Sequence, residues 1–252
     1  MHWFVKSDSI VRRIWGKPDT ILFVFAGAAA EFSLNKAVDW LFFTGKLPAD
    51  PLGRLFSTVT YARKIVFSET SAAHAVIDRM AAIHHEVESS RGSKIPTWAY
   101  RDVLYMLIDY SIRSQELLVK KMTLAEKEEV FDVFRRVGVR MGISDLPNDY
   151  AGWLADRERH IQNDLEFSDY SRKLYSQYRK HLGLTRFAIL RAAQGIIVPS
   201  AVRNMLGLWN SPLTRLSVKF YKQLVFLKID WIPKLLILPA KYAPAVKKLD
   251  AP

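Results

Sequence analysis

The stretch TILFVFAGAAAEF, residues 20–32, is the most hydrophobic run of the chain and the one that decides its fold. A helix that crosses a bilayer needs about 20 consecutive apolar residues, and this run is shorter than that. Its small and aromatic side chains suit a helix that is surrounded by other protein elements. The run therefore predicts a buried core helix and no membrane span.

The sequence around this run predicts an all-α fold. Apolar residues recur mostly at steps of three and four rather than in alternation, and the 252 residues include only 11 glycines. Hydrophobic residues make up 50% of the chain, which is enough to bury a substantial core. Because we find no linker and no internal repeat, we expect residues 1–252 to form a single helical domain.

Helix start and stop signals divide the chain. Asp50 followed by Pro51 predicts the start of a helix, because the carboxylate can cap it and proline is tolerated at the first helical position. Thr123 and Glu126 have the spacing of a capping box, which predicts another start. Gly183 predicts a helix end.

The amino-terminal stretch lacks the apolar segment of a secretory signal, so we expect a cytoplasmic protein.

Composition excludes several kinds of chemistry. The chain has no cysteine, which excludes disulfides, thiolate nucleophiles, iron–sulfur clusters and haem bound by thiolate. We also find no phosphate-binding glycine loop, no HExxH zinc motif and no nucleophile elbow. Any metal chemistry must therefore use histidine or carboxylate ligands.

The net charge of +12 lies in the last third of the chain. Residues 1–167 hold 22 Lys and Arg against 22 Asp and Glu, whereas residues 168–252 hold 15 against 3. The segment 211–252 interleaves lysines with large apolar residues, which is typical of a helical lid or of an element that contacts an anionic membrane peripherally. We recognise no nucleic-acid-binding module, so no nucleic-acid partner is expected.

The stretch RMAAIHHEV, residues 79–87, places two histidines side by side on a predicted helix. At about 100° per residue, His84 shares a face with Ile77 and Met80, whereas His85 lies on the polar face. We therefore expect His84 to point inward, either as a core histidine bonded to a carbonyl or as a ligand. His85 is expected to be solvated, and neighbours on one helix cannot hold one metal ion together.

Other polar residues are weaker candidates for a site. Arg54 and Thr58 are one turn apart on the preceding helix, where the guanidinium can reach an anionic group between helices. Glu31 and Asp109 fall in apolar runs, where a carboxylate is costly unless it is paired, so each is either a structural ion-pair member or a catalytic acid. His160 lies in polar sequence and is predicted to be exposed.

Several stretches resemble, in the same order, the family of MpaB-type oxygenases and bacterial latex-clearing proteins. They are DPLGRLFST, IVFSETSAA, IHHEV, YRDVLYMLIDYSIRS, GISDLP and GIIVPSAVRNMLGL, within roughly residues 10–210. That family has a helical, globin-like core that binds b-type haem and, where characterised, oxidatively cleaves carbon–carbon double bonds of isoprenoid chains. The resemblance implies a globin-like fold around a haem pocket.

The family hallmark is an arginine and a threonine in the pattern R-x-x-x-T, followed one helix later by the histidine that is the proximal haem ligand. Arg54 and Thr58 match this pattern, and His84 stands where the ligand is expected. The resemblance therefore implies that His84 binds the iron and that Arg54 and Thr58 shape the haem pocket. A chain without cysteine can bind haem in this way.

The sequence departs from the family on the distal side of the implied haem. The distal lysine of latex-clearing proteins falls at Ser57, and SLNKAV replaces a frequent histidine–proline pair. Asp109 stands where relatives often have histidine. Glu31 and Asp39 are then the nearest acidic candidates for a distal base.

These residues lead to one function and two alternatives. We expect a haem b-dependent oxygenase that uses dioxygen to attack a carbon–carbon double bond of a terpenoid or other lipid-like substrate. The distal departures leave open a non-catalytic protein of the same fold that carries or senses haem or a lipid. The third hypothesis is a haem-free interaction module in which His84 only packs.

Overall fold

The fold is described from a computed structural model, which describes residues 2–43, 45, 50–210, 212 and 216. Within this part the chain forms ten helices and no strand, which confirms the predicted all-α class. Most of the basic segment 211–252 lies outside it, as do the side chains of residues 51, 52 and 54–56. The single domain and the globin-like arrangement stay predictions.

In chain order the helices are α1 (Ile10–Trp15), α2 (Pro18–Phe32), α3 (Asp39–Phe43), α4 (Pro51–Val66), α5 (Thr70–Arg91), α6 (Thr97–Leu118), α7 (Leu124–Arg140), α8 (Tyr150–Asn163), α9 (Asp169–Ile197) and α10 (Ser200–Met205).

Side-chain caps start the helices at the predicted places. Asp50 Oδ1 accepts a hydrogen bond from the backbone N–H of Gly53 at 3.1 Å, at the start of α4. Thr123 and Glu126 form both hydrogen bonds of a capping box at the start of α7. Gly183 has a non-helical backbone with a φ of 72°, so α9 consists of two helices that meet at a kink at this residue. The predicted helix end at Gly183 is therefore confirmed.

The hydrophobic run of residues 20–32 forms most of α2 and lies in the core, as predicted. Its most extensive contact is with α6, where the ring of Tyr110 lies against the backbone of Gly27. A Cβ atom at position 27 would be 2.2 Å from that ring, so only glycine permits this approach. Among the described helices, none combines the length and the hydropathy needed to span a membrane.

Helices α4 and α5 pack against each other and hold the motif residues. Along α5, Ala73 and Ile77 are fully buried, and Met80 packs on the core. His84 follows Met80 by one turn on this same stripe, because residues four apart lie above one another on a helix. The stripe that anchors α5 in the core therefore carries His84 inward as well.

Candidate functional site

His84 lines a pocket of about 450 Å³ between α5, the start of α6 and the turn after α7. The imidazole is half-buried, which confirms that His84 points inward. Apolar side chains form much of the wall, among them Ile95, Met141 and Ile143. The volume falls in the range of about 300–1,000 Å³ that small-molecule and cofactor sites occupy. The pocket thus combines the half-buried imidazole of His84 with apolar side chains, while His85, Glu88 and Lys94 add polar groups to its wall.

Tyr100, which is anchored by Glu88, packs against the ring of His84. The rings of His84 and Tyr100 meet edge to face, with centroids 5.2 Å apart. The Tyr100 hydroxyl donates a hydrogen bond to Glu88 Oε1 at 3.1 Å, and the Ile95 N–H donates to the same oxygen at 2.9 Å. Burial and the bond to Glu88 raise the pKa of Tyr100 well above its usual value. Burial alone would raise the pKa of Glu88, but these hydrogen bonds lower it overall. Tyr100 therefore stays a donor and Glu88 a charged acceptor at neutral pH.

His85 lies about 100° around the helix from His84, at the exposed edge of the same pocket. Its side chain is 79% exposed, and its Nδ1 atom is 3.3 Å from Glu88 Oε2. The prediction of a solvated His85 is confirmed. A single helical step of about 100° is enough to give the two histidines these different surroundings.

Arg54 and Thr58 occur one turn apart on α4, as the motif requires. Thr58 is half-buried, and so is Ser57, the position of the distal lysine in latex-clearing proteins. The side chain of Arg54 lies outside the described part of the structure. Because α4 packs on α5, the structure brings the motif helix next to the helix of His84. The haem-site roles of Arg54 and Thr58 stay predictions.

Asp39 is bound to the far end of the helix that carries His84. Its Oδ2 atom accepts a hydrogen bond from Arg91 Nη2 at 2.6 Å, and the Arg91 guanidinium lies 4.0 Å from the ring of Trp40. Arg91 follows His84 by seven residues, which is about 10 Å along a helix. The structure thus ties Asp39 to α5, while its role as a distal base stays a prediction.

Glu31 lies in a buried network of charges. The two terminal nitrogens of Arg157 bind its oxygens at 2.5 and 2.6 Å, and Tyr110 donates to it at 2.7 Å. Arg157 also pairs with Asp109 at 3.0 Å. Burial acts to raise the pKa of Glu31, but the charge of Arg157 and hydrogen bonds from His160 and Arg157 hold it at about 2. These contacts to α6 and α8 are those of a structural ion pair, and a catalytic role for Glu31 stays a prediction.

The prediction that His160 is exposed is wrong. The residue is 3% exposed, and its Nδ1 atom is 2.7 Å from Asp102 Oδ1. Burial lowers its pKa, but the close carboxylates of Asp102 and Glu31 outweigh this effect and raise the pKa to about 9. The sequence does contain a signal for this burial, because His160 shares one helix face with large buried residues. That face of α8 consists of Trp153, Arg157, His160 and Ile161.

A second depression, of about 610 Å³, lies between the first half of α5 and the end of α7. Arg136 and Arg140 line it. Arg140 pairs with Asp78 at 2.7 Å, and Arg136 pairs with Asp132 at 2.9 Å. Because both arginines of this depression are already paired with aspartates, we assign the candidate cofactor site to the smaller pocket at His84.

The comparison with protein families agrees with the resemblance found in the motifs. The family model described as "ER-bound oxygenase mpaB/B'/Rubber oxygenase, catalytic domain" matches residues 13–227. No curated protein and no solved structure matches the chain significantly. The matched range covers most of the chain and includes Arg54, Thr58 and His84. The predicted class of the protein, an oxygenase-type enzyme, is confirmed by this match. The chain therefore belongs to the family of MpaB and rubber oxygenase catalytic domains.

Proposed function

We propose that the protein is a haem b-dependent oxygenase that uses dioxygen to attack a carbon–carbon double bond of a hydrophobic, terpenoid or lipid-like substrate. One observation carries the proposal, namely the half-buried imidazole of His84 at the wall of a pocket that apolar side chains such as Ile95, Met141 and Ile143 also line. Membership of an oxygenase family supports the reaction class. The apolar wall suits both a porphyrin face and a hydrophobic substrate.

The residues around this pocket fit a haem group. His84 would bind the haem iron, and the contact with Tyr100, which Glu88 anchors, would hold its ring in one orientation. Arg54 on the neighbouring helix would bind a propionate through charge-assisted hydrogen bonds, and Thr58 would lie near the porphyrin rim. Bound haem would supply the activation of dioxygen.

The chain's own residues would shape the distal side and handle protons. We assign the distal base to Asp39 rather than to Glu31, because a buried guanidinium already binds both oxygens of Glu31. Asp39 is half-buried and pairs with Arg91, which can release it to solvent. The apolar wall around His84 would keep water from the reacting double bond.

The ultraviolet–visible spectrum of the purified, haem-reconstituted protein tests the cofactor. We expect a Soret band that His84→Ala weakens or shifts, because the substitution removes the axial imidazole. The matched control is His74→Ala, which removes an imidazole from the same helix at the other depression and is expected to leave the band unchanged. A protein that binds no haem on reconstitution would refute the proposal.

Oxygen consumption by the haem-loaded protein separates an oxygenase from a carrier. With polyunsaturated isoprenoids we expect uptake of dioxygen and shorter carbonyl products in the mass spectrum. Asp39→Asn is expected to slow this uptake while it leaves the Soret band in place. Haem binding without oxygen uptake across a broad panel of unsaturated lipids would favour the carrier hypothesis instead.

We also propose that segment 211–252 contacts anionic membranes peripherally, where a hydrophobic substrate is stored. The support is its sequence, because nearly all of the segment lies outside the described residues. Interleaved lysines and large apolar side chains are typical of interfacial binding. Changing Lys219, Lys222, Lys228 and Lys234 to Glu is expected to abolish binding to anionic vesicles. Unchanged binding would refute this part of the proposal.

A further inference from the structure

A second group of ligand-type side chains lies beside Glu31, on α6 and α8. His160 Nδ1 is 2.7 Å from Asp102 Oδ1 and 3.2 Å from Asp164 Oδ2. The three atoms all lie within 4.8 Å of one another. A metal ion with bonds of about 2.0–2.2 Å keeps its ligand atoms about 3 Å apart. Only small side-chain movements are therefore needed for the three atoms to share one ion.

The spacing along the chain also suits a metal site. His160 is four residues before Asp164, the residue that caps the end of α8, so both side chains share one helix face. Asp102 comes from α6 and completes the group. This is the spacing that the adjacent pair His84 and His85 lacks. A bound ion would thus tie α6 to the end of α8.

One oxygen of Asp102 points to a ligand independently of the clustering. Asp102 is 0% exposed, and its Oδ2 atom accepts a hydrogen bond from Asn35 Nδ2 at 2.9 Å. Its Oδ1 atom accepts no well-directed hydrogen bond within the described part of the chain, and its close contact is with Nδ1 of His160, at 2.7 Å. A buried carboxylate oxygen without a donor costs free energy. A cation between Asp102 and His160 would remove that cost.

The surroundings supply the outer contacts that metal ligands usually have. Nε2 of His160 faces Glu31 Oε1 at 3.4 Å, and Glu31 is fixed by Arg157. A proton on Nε2 that points to this carboxylate leaves the lone pair of Nδ1 for a metal ion, as in carboxylate–histidine–metal arrangements. Asn35 orients Asp102 in the same manner.

The local charges favour a divalent cation. Arg157 and Arg113 balance Glu31 and Asp109. Asp102 and Asp164 bring two negative charges to Nδ1 of His160, and a divalent cation with a neutral imidazole would balance both. The Asp164 side chain is 25% exposed, which gives an ion access from solvent.

We infer that Asp102, His160 and Asp164 bind a divalent cation of the Zn²⁺ or Mn²⁺ type, at a site distinct from the His84 pocket. Imidazole and carboxylate oxygens are ligands that both ions accept. With three protein ligands, water would complete the coordination on the side of Asp164. The ion would stabilise the packing of α8 on α6, because metal binding to the folded state adds to its stability.

Titration of the chelator-treated, full-length protein with ZnCl₂ and MnCl₂ tests the inference. We expect isothermal calorimetry and elemental analysis to give about one tightly bound ion per chain, with a rise in melting temperature. Asp164→Asn should weaken binding by at least about 100-fold, because the loss of a direct ligand lowers the affinity at least as much as the loss of a hydrogen bond to a ligand does. The control is Glu158→Gln, which removes one negative charge from an exposed position on α8. This variant should bind the ion as the wild type does.

Two further variants keep the test decisive. Asn35→Ala leaves all three ligands in place and should weaken binding by about 10–100-fold, since it releases Asp102. His84→Ala should bind the ion as the wild type does, which distinguishes this site from haem iron. Far-ultraviolet circular dichroism confirms that each variant is folded. Wild-type protein that binds neither ion, or unchanged affinity in folded Asp164→Asn, would overturn the inference.

Discussion

Arg157→Met should be among the most destabilising substitutions in this protein. The Arg157 side chain is 5% exposed and binds Glu31 at 2.5 and 2.6 Å and Asp109 at 3.0 Å. Methionine fills a similar volume but leaves the fully buried carboxylate of Glu31 without its guanidinium. Breaking a buried pair in this way costs about 3–5 kcal/mol, because one charge stays in the interior uncompensated.

Thermal unfolding measures this cost. For chains of about 150–250 residues, each kcal/mol lowers the melting temperature by about 2–4 °C, so we expect a drop of roughly 6–20 °C. The control is Arg113→Met, which removes the other partner of Asp109. The Arg113 side chain is 40% exposed, so its ion pair is solvated and its loss should cost at most about 1 kcal/mol.

A double substitution then separates charge from packing. Glu31→Gln together with Arg157→Met removes both buried charges, and this protein should be more stable than the Arg157→Met variant alone. The same melting temperature for Arg157→Met and Arg113→Met would refute the reasoning. So would a double variant that is no more stable than Arg157→Met, because the loss would then come from packing.

Two further predictions concern the same core. Gly27→Ala should lower the melting temperature, because its Cβ would lie 2.2 Å from the ring of Tyr110. Such overpacking costs about 1–3 kcal/mol, more than the roughly 1 kcal/mol gained in helix propensity, and an unchanged melting temperature would contradict this. Acid should also weaken the fold through Glu31, whose pKa falls from its ordinary 4.5 to about 2. This contribution is complete above pH 4.5 and is lost as the pH falls to about 2. Denaturant titrations should therefore show a shallower loss over this range in Glu31→Gln than in the wild type, and equal slopes would contradict the assignment.

The sequence predicted those features that depend on neighbouring residues. Asp50 and Thr123 start helices because their side chains bond backbone N–H groups three residues later. The run 20–32 is buried because nearly all of its side chains are apolar or small. Helical phase placed His84 inward for the same reason, since the positions one and two turns earlier are apolar. All these signals lie within about two helical turns.

Features that depend on distant partners could not be predicted in this way. Glu31 and Arg157 are 126 residues apart, so nothing near either residue shows that its charge is balanced. Polar neighbours made His160 look solvated, whereas Asp102 and Glu31 from other helices enclose it. Helical phase alone predicts that His84 points inward. The prediction that His84 is a ligand also required the family motif that includes Arg54 and Thr58.

The two metal sites that we propose differ in the surroundings of His84 and His160. An axial haem ligand needs a neutral imidazole beside an apolar cavity, and His84 lines such a pocket with Ile95 and Met141. His160 instead faces three carboxylates, which favour either a proton on the ring or a hard divalent cation in its place. Asp102 and Glu31 offset the cost of burying His160 only when a positive charge lies between them and the ring. A proton on the ring or a bound cation would each supply that charge and stabilise the fold. At His84, apolar side chains beside the imidazole instead suit the cofactor that we propose there.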